Sequence, residues 1–162
     1  MHIATNSEII DISLEVKTAE LAKNFSKILK KGDVVFFHGE IGVGKTTFIR
    51  YLVNHLQANN YLNSTEVTSP TFNLVNEYDV GIFVIQHYDL YRLKSSDESK
   101  NIGLLEKQKE IITLIEWPEK IDNKIDNKID NKIDLFFEYA EDMNKRFLSI
   151  KGLSKEKLNE IN

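Results

Sequence analysis

Gly39-Glu40-Ile41-Gly42-Val43-Gly44-Lys45-Thr46 fits the phosphate-binding pattern G-x-x-x-x-G-K-[ST] without a mismatch. Its flanks fit as well. Val34-Val35-Phe36-Phe37-His38 is a β-branched and aromatic run of strand length. After the loop, Phe48, Ile49, Leu52, Val53 and Leu56 recur at helical spacing, predicting a helix from about Thr46 to Ala58. Strand, glycine loop and helix in that order are the context a phosphate loop requires. The glycines let successive backbone N–H groups turn inward, and the positive end of the helix adds to the attraction for an anion. In such a loop Lys45 reaches the β- and γ-phosphates and the Thr46 hydroxyl ligates Mg²⁺.

The remaining chain supplies the sheet around this unit. Ile9 to Ser13 alternates as a short edge strand, and Leu21, Ala22, Phe25, Ile28 and Leu29 mark a helix from about Val16 to Lys30. Leu74 to Tyr78 and Phe83 to Ile85 flank Asp79-Val80-Gly81 as a β-hairpin, whose second arm continues to His87-Tyr88-Asp89-Leu90-Tyr91-Arg92. Asp97 is placed to cap a helix reaching about Leu105, and Lys107 to Glu110 is charged and expected on the surface. Ile111 to Ile115 reads as a buried strand closed by Glu116, and Trp117-Pro118 breaks regular structure. A strand near Ile133 to Tyr139 and a last one from Arg146 to Ile150 are expected to pair, with Ser154 to Ile161 a short helix or frayed tail. The expected fold is α/β: a mostly parallel central sheet of the P-loop type, an added antiparallel hairpin and flanking helices, in one domain spanning residues 1–162.

A phosphate loop needs acids where strands end at the nucleotide. Glu116 closes the most apolar strand of the second half and is the candidate metal carboxylate. Asp89 closes the hairpin's second arm and is the candidate either to support the metal's ligands from behind or to position water. Thr71, just after Pro70, is a further hydroxyl for the metal or γ-phosphate. His87 shares a strand face with Asp89 but has no third ligand for a metal, so it reads as a structural histidine or a hydrogen-bond partner. Trp117 belongs either to the core or beside the nucleotide.

Ile121-Asp122-Asn123-Lys124 recurs at Ile125 and Ile129, so Asn-Lys-x-Asp, the guanine-reading string of small GTP-binding proteins, occurs three times. Here it arises by duplication, and no glycine in the chain has an Asp three residues before it, which a GTP switch also requires. Residues 121–134 therefore read as a polar repeat linker. Absence of cysteine excludes disulfides, thiol nucleophiles and cysteine-bound zinc. A net charge of −4 gives no general electrostatic grip on nucleic acid. With no apolar run long enough for a membrane span, the expectation is a cytoplasmic protein with no membrane partner.

Four strings occur together and in order: GEIGVGKTT at Gly39–Thr47, TSPTF at Thr68–Phe72, HYDLYR at His87–Arg92 and EWPE at Glu116–Glu119. In this combination, from about Thr18 to Leu148, the chain resembles the TsaE family, bacterial ATPases needed for threonylcarbamoyladenosine modification of tRNA. The resemblance implies binding of ATP and Mg²⁺ and slow hydrolysis. It also implies docking onto a threonylcarbamoyl transferase subunit and its paralogous partner, with tRNA reached through that complex. It puts the nucleotide against Gly39, Gly42, Val43, Gly44, Lys45, Thr46 and Thr47, with Glu15 and Arg146 bordering the adenine. Thr46 and Glu116 would hold Mg²⁺, while Thr71 and Asp89 take the family's switch-like and strand-end positions. The repeat departs from the family's usual leucine- and proline-containing segment. Two rival readings share the loop: a small-molecule kinase, which needs an arginine-bearing lid, and a GTP-binding switch.

Overall fold

The computed structural model describes residues 7–162. Seven strands form one sheet: β1 (Ile10–Asp11), β2 (Val34–His38), β3 (Val75–Asp79), β4 (Val84–Asp89), β5 (Ile112–Glu116), β6 (Lys132–Tyr139) and β7 (Arg146–Lys151). Their order across the sheet is β1-β7-β6-β2-β5-β4-β3. The middle of the sheet, β6-β2-β5-β4, is parallel, whereas β1, β7 and β3 join antiparallel. The expected parallel sheet is thus confined to the centre, and its two margins are both antiparallel. The continuous apolar strings of β2 and β5 suit those central positions, where both faces are covered.

One face carries α1 (Glu15–Ser26), α2 (Lys45–Asn59) and the C-terminal α4 (Lys155–Ile161). Phe48, wholly buried on α2, meets Phe25 of α1, Phe37 of β2 and Phe137 of β6 at centroid distances of 5.7, 5.9 and 5.8 Å. This aromatic cluster pins the first turn of α2 to the sheet and so fixes the preceding loop. The other face is closed by irregular chain. Leu90, Leu93, Leu104 and Ile121 are buried there against Val34, Phe36 and Ile115.

The helix predicted over Val16–Lys30 ends at Ser26, and its last residues form a turn that leads to Gly32. The helix expected from Asp97 is instead a 3₁₀ segment, Ser96–Asn101, because its apolar residues are too few to define a buried stripe. The tail does form a helix: Ser154 caps α4 by accepting the N–H of Lys157, and Leu158 and Ile161 are buried. Within the repeat, Asp122 caps a single helical turn, α3 (Asn123–Asp126), and Ile125 and Ile129 lie half-buried on the second core. Ile133, the fourth repeated isoleucine, lies in β6 and points to the opposite core.

Candidate active site

The loop between β2 and α2 passes over the carboxyl ends of the parallel strands, where open α/β sheets place their ligands. Gly39 has φ of 144°, and a Cβ there would come within 2.6 Å of the Phe137 carbonyl oxygen. Glycine is required on both counts, since the chain must turn and run close to β6. Gly44, at φ 117°, starts α2, and its carbonyl accepts the N–H of Phe48 at 3.0 Å.

Lys45 follows at the first helical position and is 5% exposed. Its ammonium donates to the Gly39 carbonyl and lies 4.0 Å from the centroid of the Trp117 ring. Burial lowers the Lys45 pKa, and the nearby carboxylates of Glu116, Asp89 and Glu119 oppose that shift. Trp117 reaches this position because its backbone is left-handed, φ 60° and ψ 51°, immediately after β5 ends. A non-glycine residue there costs on the order of 1–2 kcal/mol. The indole is half-buried and stacks at a tilt on Tyr91, 4.9 Å away.

Asp89 and Glu116 end β4 and β5 in register, 3% and 2% exposed. Their oxygens are divided among identifiable partners. Thr46 Oγ1 donates to Glu116 Oε1 at 3.3 Å, and His87 Nε2 lies 2.8 Å from Glu116 Oε2. Ser69 and Thr71 both donate to Asp89 Oδ2, at 2.5 and 2.8 Å, while the Tyr91 N–H donates to Oδ1 at 2.9 Å. Ser69 also reaches Glu116 Oε2 at 3.5 Å.

Ser69, Thr71, Asp89, Tyr91, Glu116 and Trp117 line a cleft of about 280 Å³ with the phosphate loop, and His87 lies buried behind them. The predicted Lys45, Thr46, Thr71, Asp89 and Glu116 all face it, as do Gly42, Gly44 and Thr47. A second hollow of about 220 Å³ shares Gly44 and Thr47 with the first and is also lined by Val43, Glu15 and Arg146. Glu15 there accepts from Arg50 Nη2 and Tyr51 OH at 2.9 and 2.7 Å, and the Arg146 guanidinium lies over the Tyr139 ring. Gly39 lies under the loop, beside Lys45 and β6. The arrangement offers backbone amides and an ammonium for a polyphosphate, and hard oxygen donors for a cation.

Two residues enter the site without having been assigned to it. Ser69, inside the Thr68–Phe72 string, binds the same carboxylate oxygen as Thr71. Tyr91 lines the cleft beside Trp117. Spacing signals neither, since both act through a turn rather than a periodic element. His87 is a buried hydrogen-bond partner, and Trp117 lines the cleft beside the phosphate loop. Of the remaining arginines, Arg50 pairs with Glu15 and Arg92 lies over Phe72, so neither builds a lid over the cleft. Among the described residues no helix is long and apolar enough to cross a membrane.

The model of the family described as threonylcarbamoyl adenosine biosynthesis protein TsaE matches residues 12–147. Among curated proteins, the tRNA threonylcarbamoyladenosine biosynthesis protein TsaE of Rickettsia conorii is 38% identical over 145 residues, 90% of this chain and 78% of that protein. Its counterpart in Rickettsia felis is 43% identical over 107 residues, which span 66% of this chain and 60% of that protein. A similarly named protein of Aquifex aeolicus is 39% identical over 106 residues, 65% of this chain and 73% of its own. Among solved structures, Bacillus subtilis YdiB superposes with a TM-score of 0.71 over 99% of this chain and 97% of its own, at 21% identity, which establishes a shared fold. On the matched residues and these identities, the chain belongs to the TsaE family of threonylcarbamoyl adenosine biosynthesis proteins.

Proposed function

We propose that the protein binds Mg-ATP in the cleft and hydrolyses it slowly, in service of threonylcarbamoyladenosine formation at position 37 of tRNA. The observation that carries this reading is the meeting of Lys45, Thr46 and Glu116 under one glycine loop at the ends of parallel strands. The oxygen-only donor set of Thr46 and Glu116, with Asp89 beside them, suits a hard cation. No cluster of three or more metal-binding acids or histidines occurs among the described residues. Magnesium is commonly held by one or two protein groups and completed by phosphates and water. Bound there, Mg²⁺ supplies charge neutralisation at the terminal phosphates.

The residues of the chain divide the remaining work. The loop amides and the N-terminus of α2 bind the phosphates, and Lys45 exchanges the Gly39 carbonyl and the Trp117 face for phosphate oxygens. The second hollow, between Glu15 and Arg146, is the proposed seat of the nucleoside. Asp89 accepts a hydrogen bond from the attacking water and so orients it. The hydroxyls of Ser69 and Thr71 hold the loop before β3 on that carboxylate.

Neither Arg50 nor Arg92 forms the lid a small-molecule kinase needs, which supports a turnover that acts on a partner. The proposed partners are a threonylcarbamoyl transferase subunit and its paralogue, with tRNA reached through their complex, in the cytoplasm. The test is ATP turnover measured with and without those two proteins and tRNA. Acceleration on their joint addition is expected; a rate indifferent to them, with phosphate passed to a small acceptor, would favour a kinase instead.

A further inference from the structure

His87 is wholly buried, so its hydrogen bonds are all made to protein. Nε2 faces Glu116 Oε2 at 2.8 Å, and Nδ1 faces the Tyr78 hydroxyl at 3.4 Å. Asn76 Nδ2 donates to that same hydroxyl at 3.4 Å and to the Thr68 carbonyl at 3.2 Å. A carboxylate can only accept, so the ring carries its proton on Nε2 and donates to Glu116, while Nδ1 shares the Tyr78 hydroxyl proton with the Thr68 carbonyl, 3.4 Å from that hydroxyl. Both ring nitrogens then have a partner. The chain of bonds crosses three adjacent strands, from β3 through β4 to β5, and ends on the carboxylate in the cleft.

We infer that His87 is the positioning residue of the cation site. It holds Oε2 of Glu116 from behind and so turns Oε1, the oxygen that meets the Thr46 hydroxyl at 3.3 Å, toward the proposed cation. A carboxylate on a flexible side chain would otherwise rotate about its last torsion and could offer either oxygen or both. Fixing it by a bond from behind pre-organises a one-oxygen contact, and loss of such a bond typically weakens metal affinity about 10- to 100-fold. The inference rests on the proposed cation role of Glu116.

Two substitutions of similar size and polarity separate this role from mere packing. In His87→Gln the amide nitrogen stands where Nε2 stood, and the bond to Glu116 survives. In His87→Asn the amide nitrogen stands where Nδ1 stood, and Glu116 Oε2 keeps only the 3.5 Å approach of Ser69. The quantity read is the ratio of the ATP dissociation constant in EDTA to that in Mg²⁺, followed by ATP titration against intrinsic fluorescence. We expect H87Q to keep the wild-type ratio and H87N to lower it about 10-fold, with ATP affinity in EDTA unchanged in both. Equal ratios in the two variants, whether both normal or both reduced, would overturn the positioning role. Glu116→Gln is measured alongside. If it leaves the ratio intact, the cation role of Glu116 itself fails; if it lowers the ratio while H87N and H87Q agree, only the role of His87 fails.

Discussion

Asp89 and Glu116 lie side by side in register on β4 and β5, both buried and both acidic. Like charges at such a spacing repel, and burial strengthens the repulsion. The site offsets this with three hydroxyls, one imidazole and the Lys45 ammonium, which together hold the two carboxyl groups at one end of the sheet. Replacing Glu116 with Ala is expected to remove Mg²⁺-dependent ATP turnover while far-ultraviolet circular dichroism stays that of the native fold. Normal turnover in E116A would move the metal-binding role to another residue.

Among the described residues Lys45 is the one cation lining the cleft, and its ammonium meets a carbonyl and an aromatic face. It is therefore available to a phosphate that displaces those two contacts. A charge-assisted contact of this kind is worth about 1.5–3 kcal/mol. Lys45→Ala should accordingly weaken ATP binding on the order of 10- to 100-fold. An unchanged dissociation constant by calorimetry would remove the phosphate-binding role from this residue.

The parts of the fold legible in the sequence are those with a short-range cause. The glycine pattern, the apolar strings of β2 and β5 and the stripe on α2 each carry their own signal. Glu116 and Asp89 were legible because each ends a strand. What spacing could not reveal depends on long-range placement. The pairing of β6 with β2 and the left-handed turn at Trp117 follow from how the sheet closes. The Ile121 repeat is similar: identical units pack differently because Ile125 and Ile129 face one core and Ile133 the other. The bond from His87 to Glu116 crosses 29 positions of sequence, beyond the reach of any periodicity.

Ile121 offers a direct measure of how firmly the repeat is built into the protein. It is 6% exposed and packs in the second core. Ile121→Ala should cost about 2–5 kcal/mol in urea unfolding, the range for a buried Ile truncated to Ala. A loss below about 0.5 kcal/mol, typical of surface substitutions, would mean that the segment is loosely attached.

Asp33, buried between α1 and β2, accepts the Lys30 N–H at 2.9 Å. Desolvation raises its pKa, outweighing the backbone bond and the charges of Lys157 and Lys30. A carboxyl whose pKa is raised on folding adds stability below its unfolded value, near 3.8, and loses that contribution as pH rises through the folded value. Asp33→Asn keeps an acceptor for Lys30 without the charge. Its stability relative to wild type should therefore be more favourable at pH 7 than at pH 4.5, by urea denaturation at both. An identical difference at the two pH values would show that Asp33 is not perturbed.

Trp117 is the only tryptophan, and the Lys45 ammonium lies over its face, so its emission reports where that ammonium is. A cation–π contact of this kind is worth about 0.5–2 kcal/mol, which a phosphate can readily outbid. Adding Mg-ATP should draw Lys45 off the indole and change the fluorescence intensity. Lys45→Met removes the cation beforehand, so the variant should start from a different intensity and respond far less at nucleotide concentrations that saturate the wild type. A flat wild-type signal during a titration in which calorimetry records binding would mean that Lys45 stays on the ring and grips no phosphate.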